Sequence, residues 1–136
     1  MVRDTCLCLH AQRAARALAR RFDEALRPLD LTNGQFSLLV SLNRPEAATM
    51  GSVASLLAVD RTTLTAALKV LARRKLVKVA IDKEDKRSRR LSITPAGRAL
   101  LAKAFPVWKA EHAAAEKDLA DASADVLRAA LKALSK

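Results

Sequence analysis

Basic side chains are the chemically active residues that cluster most strongly in this sequence. Residues 61–90 contain eleven lysines and arginines and three acids, which gives this segment a net charge of +8. The whole chain of 136 residues has a net charge of +11. A basic cluster on an otherwise balanced chain is typical of a protein that binds a polyanion, above all nucleic acid. The alternative is a solvated face that only keeps the chain soluble.

One half of this cluster falls on a predicted helix from Arg61 to about Arg74, for which Asp60 is a suitable N-cap. Three leucines and Ala67 recur at helical spacing and form the face that should be buried. The opposite face carries hydroxyls, which can reach bases or phosphates, and cations, which can read guanine in the major groove. The candidate DNA-binding residues of this helix are Arg61, Thr62, Thr63, Thr65, Lys69 and Arg73. The alternative is an ordinary amphipathic surface helix.

The other half lies at the tip of a predicted β-hairpin. Residues 77–81 and 91–93 alternate between apolar and polar or small side chains, on either side of a charged segment. Arginine gains from the negative potential of a narrow minor groove, so a projecting basic tip suits DNA. The candidate DNA-binding residues of the tip are Lys86, Arg87, Arg89 and Arg90. The alternative is a charge cluster that keeps an edge hairpin soluble.

Other chemical signatures are weak. The chain has no phosphate-binding loop, no nucleophile elbow and no histidine-rich helix, and its closely spaced acids lie on the hairpin tip, which is unsuited to acid–base catalysis. Cys6 and His10 have the spacing of two ligands on one helical face, but two ligands do not make a metal site. We therefore expect neither an enzyme nor a bound metal or cofactor.

Cys6 and Cys8 are the only cysteines. Two positions apart on one helix, they would point to nearly opposite sides and could not form a disulfide with each other. The simplest interpretation is that both are small buried hydrophobic residues of an intracellular protein.

The elements that position these residues are mostly helices. Twenty-eight Ala and 22 Leu outnumber 18 Val, Ile and Thr, which favours helix over sheet. An apolar stripe over residues 7–29 predicts a first helix longer than a globule of this size needs, so part of its apolar face should meet a partner chain. Further helices are predicted at residues 35–42, at 50–57 with Thr49 as a suitable N-cap, from Pro95 onward with a kink at Pro106, and at 124–134. The chain has no apolar run long enough to span a membrane and does not begin like a signal peptide, so we expect a cytoplasmic protein without a membrane partner.

The order of a short helix, a turn, a longer helix and a hairpin is that of a winged helix-turn-helix. The expected fold is mainly α, with about six helices and a two- or three-stranded β-wing. The segment Thr32 to Gly97 resembles the MarR family of bacterial transcription regulators. The resemblance is carried by Leu31-Thr-x-x-Gln-Phe36, Asp60-Arg-Thr-Thr-Leu-Thr65, Leu76-Val77, Asp85-Lys-Arg87 and Leu91-Ser-Ile-Thr-Pro-Ala-Gly97.

The resemblance implies a homodimer on a palindromic site and a small-molecule pocket between the dimer helices and the winged domain. Interlocking dimerisation helices at residues 1–30 and 98–136 would flank a DNA-binding domain at 31–97. Asp85 would brace the wing, and Arg87 with its neighbours would enter the minor groove. Cys8, with Cys6 beside it, would correspond to the reactive cysteine of family members that sense organic hydroperoxides, although the tyrosines around that cysteine are missing from this chain.

One position departs from the family pattern. The family usually ends its recognition helix with glycine, which tolerates a left-handed C-cap, and this chain has Lys75 there. A lysine in that conformation costs about 1 kcal/mol, so the cap is expected to be either strained or formed differently.

The function predicted from the sequence is that of a sequence-specific DNA-binding regulator, most simply a repressor, which a small ligand or thiol oxidation releases from a pseudo-palindromic operator. The alternative is a nucleoid-type protein that binds double-stranded DNA through charge alone. An apolar cavity with Arg13 or Arg16 nearby would suit an aromatic carboxylate as effector. Its candidate lining residues are Phe22, Phe36, Phe105 and Trp108, for each of which core packing is the alternative.

Overall fold

Seven α-helices and a three-stranded antiparallel sheet make up the computed structural model, which describes residues 1–136. The helices are α1 (Val2–Thr5), α2 (Leu7–Leu26), α3 (Asn33–Leu42), α4 (Met50–Leu57), α5 (Arg61–Arg73), α6 (Pro95–Lys117) and α7 (Ala124–Leu134). The strands are β1 (Ala48–Thr49), β2 (Val77–Ile81) and β3 (Arg89–Ile93). The mainly helical, winged fold class is thus confirmed. No helix combines the length and the apolar content that a membrane span requires.

Most predicted boundaries agree with the structure to within two residues. The predicted helix at 7–29 is α2 followed by a 3₁₀ turn at Arg27–Leu29, which contains Pro28. Helix α3 begins at Asn33, two residues earlier than predicted, and the Asn33 N–H donates to Asp23 Oδ1 at 2.6 Å. Strand β3 also begins two residues early, because the ladder continues to the Ile81–Arg89 pair.

The prediction that Cys6 lies within a helix is wrong. Cys6 has an extended backbone (φ −73°, ψ 112°) between α1 and α2, where it caps α2 by accepting a hydrogen bond from the Leu9 N–H at 3.5 Å. The argument that Cys6 and Cys8 cannot pair assumed one continuous helix through both residues, so that argument no longer holds.

The chain divides into two compact units. The helical unit comprises residues 1–33 and 106–136, and the winged unit comprises residues 34–105. Helix α6 passes through Pro106 without ending and contributes residues to both units.

In the winged unit, apolar side chains of the helices and of the central strand form the core. The predicted inner face of α5 is confirmed for Leu64, Leu68 and Leu71, which are each at most 2% exposed, whereas Ala67 is half-buried. Strand β3 lies between β1 and β2 and pairs antiparallel with both, so that Leu91 is opposite Ala48 on one side and Val79 on the other. Because β1 leads directly into α4, this pairing holds the first turn of α4 beside the wing.

Helix α5 ends in a left-handed cap in spite of its lysine. Lys75 has φ +62°, its N–H donates to the Ala72 carbonyl at 2.9 Å, and the Leu76 N–H donates to the Leu71 carbonyl at 3.0 Å. These two hydrogen bonds define a Schellman motif, so the usual cap forms at the cost of a non-glycine residue in the left-handed region. The Thr94 hydroxyl, which donates to the Lys75 carbonyl at 2.8 Å, also holds this backbone.

The start of α6 packs directly on the same turn. The Thr94 N–H donates to the Leu76 carbonyl at 3.1 Å, and Thr94 Oγ1 accepts from the Gly97 N–H at 3.0 Å. A Cβ on Gly97 would lie 2.2 Å from the Leu76 carbonyl oxygen and 2.7 Å from Ile93 Cγ1. Glycine is therefore required at residue 97 because backbone approaches backbone there.

In the helical unit, one arginine joins two helices. Arg21 of α2 donates to Glu111 of α6 through Nε and to Asp118 Oδ2 through Nη1 at 2.6 Å. The hydrogen bond to Glu111, followed by that to Asp118, raises the pKa of the Arg21 guanidinium. Trp108 stacks on His112 with ring centroids 4.7 Å apart.

Much of the apolar surface of the helical unit is nevertheless uncovered in the single chain. The side chains concerned lie on α2 and α7, and they are Leu7 (70% exposed), Leu18 (45%), Val126 (69%), Leu127 (41%), Leu131 (45%) and Leu134 (65%).

Candidate nucleic-acid interface

A groove of about 400 Å³ on the winged unit brings basic side chains of separate elements together. Arg61 and Thr65 line it from α5, and Arg87 and Arg89 line it from the wing. The remaining lining residues are Thr49, Met50, Gly51 and Ser88. Three arginines thus converge on one concave surface without a carboxylate in its lining, which is an arrangement suited to an anion.

The first turn of α4 forms one wall of this groove. Thr49 caps the helix, as predicted, by accepting from the Ser52 N–H at 3.1 Å. The first N–H groups of a helix have no intrahelical acceptor, and they add to the attraction for anions. The guanidinium of Arg61 lies over this turn, with Nη2 3.7 Å from the position that a Cβ of Gly51 would take.

Asp60 immediately precedes helix α5, and its carboxylate is occupied as the predicted N-cap. Its Oδ1 accepts from the Thr63 N–H at 2.7 Å. Hydrogen bonds from Thr63, and from the Thr62 N–H, hold the pKa of Asp60 below its usual value. The acid is therefore ionised at neutral pH, and its charge is directed to the helix amides.

At the wing tip, Asp85 fixes the turn that carries Arg87. Asp85 Oδ1 accepts from the Arg87 N–H at 3.0 Å, its Oδ2 accepts from the Ser88 hydroxyl at 3.2 Å, and its carbonyl accepts from the Ser88 N–H at 2.9 Å. The side chain of Arg87 is 95% exposed, with Nε 3.7 Å from Asp85 Oδ1.

The structure separates the ten predicted DNA-binding residues into two groups. Arg61, Thr65, Arg87 and Arg89 line the groove. Thr62, Thr63, Lys69, Arg73, Lys86 and Arg90 lie outside it, and all six are exposed. Arg90 differs from the others because its Nε pairs with Asp82 Oδ2 at 3.1 Å.

Four lining residues were missed by the sequence analysis, namely Thr49, Met50, Gly51 and Ser88. The N-cap pattern at Thr49 marked the start of a helix, but nothing in the local sequence indicated that this start lies beside the wing. The contact depends on the pairing of β1 with β3, and β1 has only two residues.

The cysteines are more accessible than the simplest interpretation assumed. Cys8 is exposed and Cys6 is half-buried, so the prediction that both are buried hydrophobic residues is wrong for the single chain. The Gln12 amide donates to Cys8 Sγ at 3.4 Å. His10 Nδ1 lies 2.8 Å from the Cys6 carbonyl, and no group of three or more potential ligands is placed to hold a metal ion.

The aromatic residues considered for an effector cavity have different environments. Phe22 of the helical unit and Phe36 of the winged unit are buried, at 7% and 6% exposed, which agrees with core packing. Phe105 is 53% exposed and Trp108 is half-buried. Arg13 and Arg16 are exposed on α2 and make no hydrogen bond or ion pair within the chain.

Comparison with known proteins identifies this architecture. Residues 31–88 match the MarR family. The chain is 38% identical to the M. tuberculosis transcriptional regulator MosR, whose crystal structure in complex with DNA matches with a TM-score of 0.86 over 96% of this chain and 93% of MosR. The chain belongs to the MarR family.

Other MarR-fold structures agree with this assignment. The transcriptional repressor CouR bound to a 23-mer DNA duplex is 28% identical, with a TM-score of 0.76 over 98% of this chain and 92% of CouR. CouR from Rhodococcus jostii RHA1 bound to p-coumaroyl-CoA is 20% identical in the aligned structure, with a TM-score of 0.83 over 97% and 93% of the two chains, which shows the fold alone. No curated protein sequence matches the chain. The protein is therefore a MarR-family DNA-binding transcriptional regulator, in a family of regulators rather than enzymes.

Proposed function

We propose that this MarR-family regulator is a repressor that binds a pseudo-palindromic operator as a homodimer. The groove between α4, α5 and the wing carries the proposal, because Arg61 of α5 and Arg87 and Arg89 of the wing converge there. In this assignment the three arginines neutralise backbone phosphates or enter the minor groove. Thr65 and Lys69 of α5 face base edges in the major groove. MosR and CouR both bind DNA, which supports DNA as the partner of this chain.

The homodimer is supported by the apolar surface of the helical unit. A soluble monomer rarely exposes a large continuous apolar patch, and here α2 and α7 both present uncovered leucines. On α2, Leu7 and Leu18 lie on one side of the helix, whereas Arg13, Arg16 and Arg20 fall on the other side at 100° per residue. One face can therefore pack against a second copy while the other stays in water. A two-fold dimer would present two recognition helices about one DNA turn apart, roughly 34 Å.

Sedimentation equilibrium tests the dimer directly. The wild-type chain is expected to sediment as a dimer, and Leu131→Glu in the exposed face of α7 is expected to shift it toward the monomer. Lys132→Glu is the matched control, since it changes the charge of a neighbouring exposed residue without touching that face. A monomeric wild type at micromolar concentration would contradict the proposal.

Selection from fragmented genomic DNA, with random duplex as competitor at near-physiological salt, tests the operator. Recovery of one or a few pseudo-palindromic sites is expected. A regulator that represses from such a site should lower transcription of the adjoining gene in a reconstituted assay, and increased transcription would identify an activator. Uniform recovery across the genome would indicate binding through charge alone.

An aromatic carboxylate is the effector class that we propose for release. Arg13 and Arg16 are exposed cations without a partner in the chain, and Trp108 of the same unit keeps part of its ring accessible. CouR, bound to p-coumaroyl-CoA, shows that a protein of this fold takes up an aromatic acyl group. A panel of aromatic carboxylates, with aliphatic carboxylates of the same charge as controls, should include compounds that release operator DNA. Release by no aromatic carboxylate would remove this effector class.

Thiol oxidation is the second route of release that we propose, and it rests on the exposure of Cys8. An organic hydroperoxide would oxidise the Cys8 thiol to a sulfenic acid and would itself be reduced to the alcohol. Loss of DNA binding after hydroperoxide treatment, prevented in Cys8→Ser and restored by dithiothreitol, is the expected result. Cys6→Ser separates the two thiols, and an equal response of the variant without any cysteine would disprove the route.

A further inference from the structure

The base of the wing is closed by a carboxylate that has no assigned role. Asp82 follows the last residue of β2, and its N–H donates to the Ser88 carbonyl at 3.1 Å, which closes the loop that carries the wing tip. Its Oδ1 accepts from the Glu84 N–H at 2.9 Å, and its Oδ2 pairs with Arg90 Nε at 3.1 Å. The Asp82 side chain is only 15% exposed, whereas that of Arg90 is 46% exposed.

We propose that Asp82 and Arg90 are positioning residues, which hold the wing so that Arg87 and Arg89 face the groove, and that Arg90 does not itself neutralise DNA phosphate. The proposal rests on the proposed operator binding. It reassigns one of the cations that the sequence pointed to as a DNA contact.

The connections of this pair lead directly to the groove. Asp82 contacts the loop on both sides of its tip, through the Glu84 amide on one side and the Ser88 carbonyl on the other. Ser88 lines the groove, and Arg89, which also lines it, pairs with Ile81 at the last rung of the ladder. Arg90, the next residue of β3, anchors the carboxylate, so its guanidinium is turned toward Asp82.

Simple electrostatics predicts that removal of the Asp82 charge strengthens DNA binding, whereas a positioning role predicts that it weakens DNA binding. A carboxylate near a DNA-binding surface repels phosphates, so its neutralisation should strengthen binding if it has no other role. The pKa of Asp82 is held below its usual value by the Glu84 amide and by Arg90, so the carboxylate is charged at neutral pH. If neutralisation of Asp82 lowers the affinity for DNA, the direction of this change is by itself enough to identify a positioning role.

The test compares operator binding of Asp82→Asn with that of Glu84→Gln, in full-length protein. Glu84 is an exposed acid of the same loop whose side chain makes no hydrogen bond or ion pair within the chain, so its variant removes the same charge without disturbing a contact. Asp82→Asn is expected to bind up to about fivefold more weakly, the range of a partly exposed ion pair, and Glu84→Gln is expected to bind equally well or more tightly. Equal or tighter binding by Asp82→Asn would overturn the proposal.

Two further variants separate positioning from direct contact. Arg90→Gln should weaken binding without changing the dependence of log Kd on log salt, and the double variant should be no weaker than Asp82→Asn alone, because both changes break one contact. A salt slope reduced by about 1 for each protomer in Arg90→Gln would show a phosphate contact and contradict the proposal.

Hydrogen exchange of the wing peptide provides a measurement without DNA. Residues 82–89 should exchange faster in Asp82→Asn and Arg90→Gln than in Glu84→Gln, with unchanged exchange in α5. If the wild type failed to select an operator, the proposed function would be disproved, but faster exchange of residues 82–89 would still support the positioning role. Unchanged exchange in Asp82→Asn would disprove the positioning role, whatever the protein binds.

Discussion

Gly97→Ala should destabilise the protein strongly, because no space exists for a side chain at the start of α6. The added Cβ would lie 2.2 Å from the Leu76 carbonyl oxygen, whereas even close C···O contacts are about 3.3–3.6 Å, so roughly 1 Å of backbone movement is needed. The same oxygen accepts from the Thr94 N–H at 3.1 Å. Overpacking costs about 1–3 kcal/mol and loss of that hydrogen bond about 0.5–1.5 kcal/mol, so we expect a loss of about 2–4 kcal/mol.

Gly51→Ala is the matched control for this prediction. Gly51 also lies in the first turn of a helix, but the nearest atom to its added Cβ is Arg61 Nη2 at 3.7 Å, the flexible end of a side chain. Alanine is the better helix former, so Gly51→Ala should be neutral or stabilising by up to about 1 kcal/mol. Urea unfolding at one fixed protein concentration measures both variants, and a midpoint for Gly97→Ala equal to that of wild type would refute the close approach.

Three further substitutions test other parts of the winged unit. Lys75→Gly should raise the free energy of unfolding by about 0.5–1 kcal/mol. Glycine relieves about 1–2 kcal/mol of left-handed strain, which exceeds the entropy that it adds to the unfolded chain. Lys75→Ala keeps the strain, so it should match wild type in the same urea titration. The pKa of Asp60 is lowered in the folded state, so its stabilising contribution is present at neutral pH and is lost as the pH falls below about 4. Acid unfolding followed by circular dichroism should show a smaller loss of stability in Asp60→Asn than in wild type. Identical unfolding profiles would contradict the N-cap. Thr65→Ala should relax sequence preference more than affinity, and equal losses on operator and random duplex would assign Thr65 to the backbone instead.

Elements defined by local pattern could be predicted from the sequence. The N-caps at Thr49 and Asp60 have oxygen-bearing side chains three residues before the amide that they accept from, and both predictions are confirmed. The buried face of α5 follows from leucines at helical spacing, and strand β2 from its alternation. In each case the determining interactions lie within a few residues of one another along the chain.

Contacts between distant segments could not be predicted in the same way. Strand β1 has two residues, too few for any alternation, and exists only because Ala48 pairs with Leu91. The wall that α4 adds to the groove depends on this pairing, so Met50 and Gly51 carried no signal of their own. The break at Cys6 was missed for a different reason, since the side chain that caps α2 is a cysteine, an uncommon N-cap.

Charge counting predicted more cations at the candidate interface than line the groove. Seven cations stand among the candidate residues, yet only Arg61, Arg87 and Arg89 line the groove, and Arg90 is paired with Asp82. Each neutralised phosphate contributes about −0.9 to the slope of log K against log salt, so three contacts per protomer give about −5 for a dimer, whereas seven would give about −13.

The salt dependence of operator binding therefore decides between the groove and the whole basic surface. We expect a slope near −5 for the wild-type dimer, measured by fluorescence anisotropy of a labelled operator over a range of KCl concentrations. Arg87→Ala should reduce its magnitude by about 2, one contact on each protomer, whereas Lys86→Ala on the same tip, outside the groove, should leave it unchanged. A wild-type slope near −13 would mean that phosphates are neutralised across the whole surface, and the convergence of three arginines would then not define the site.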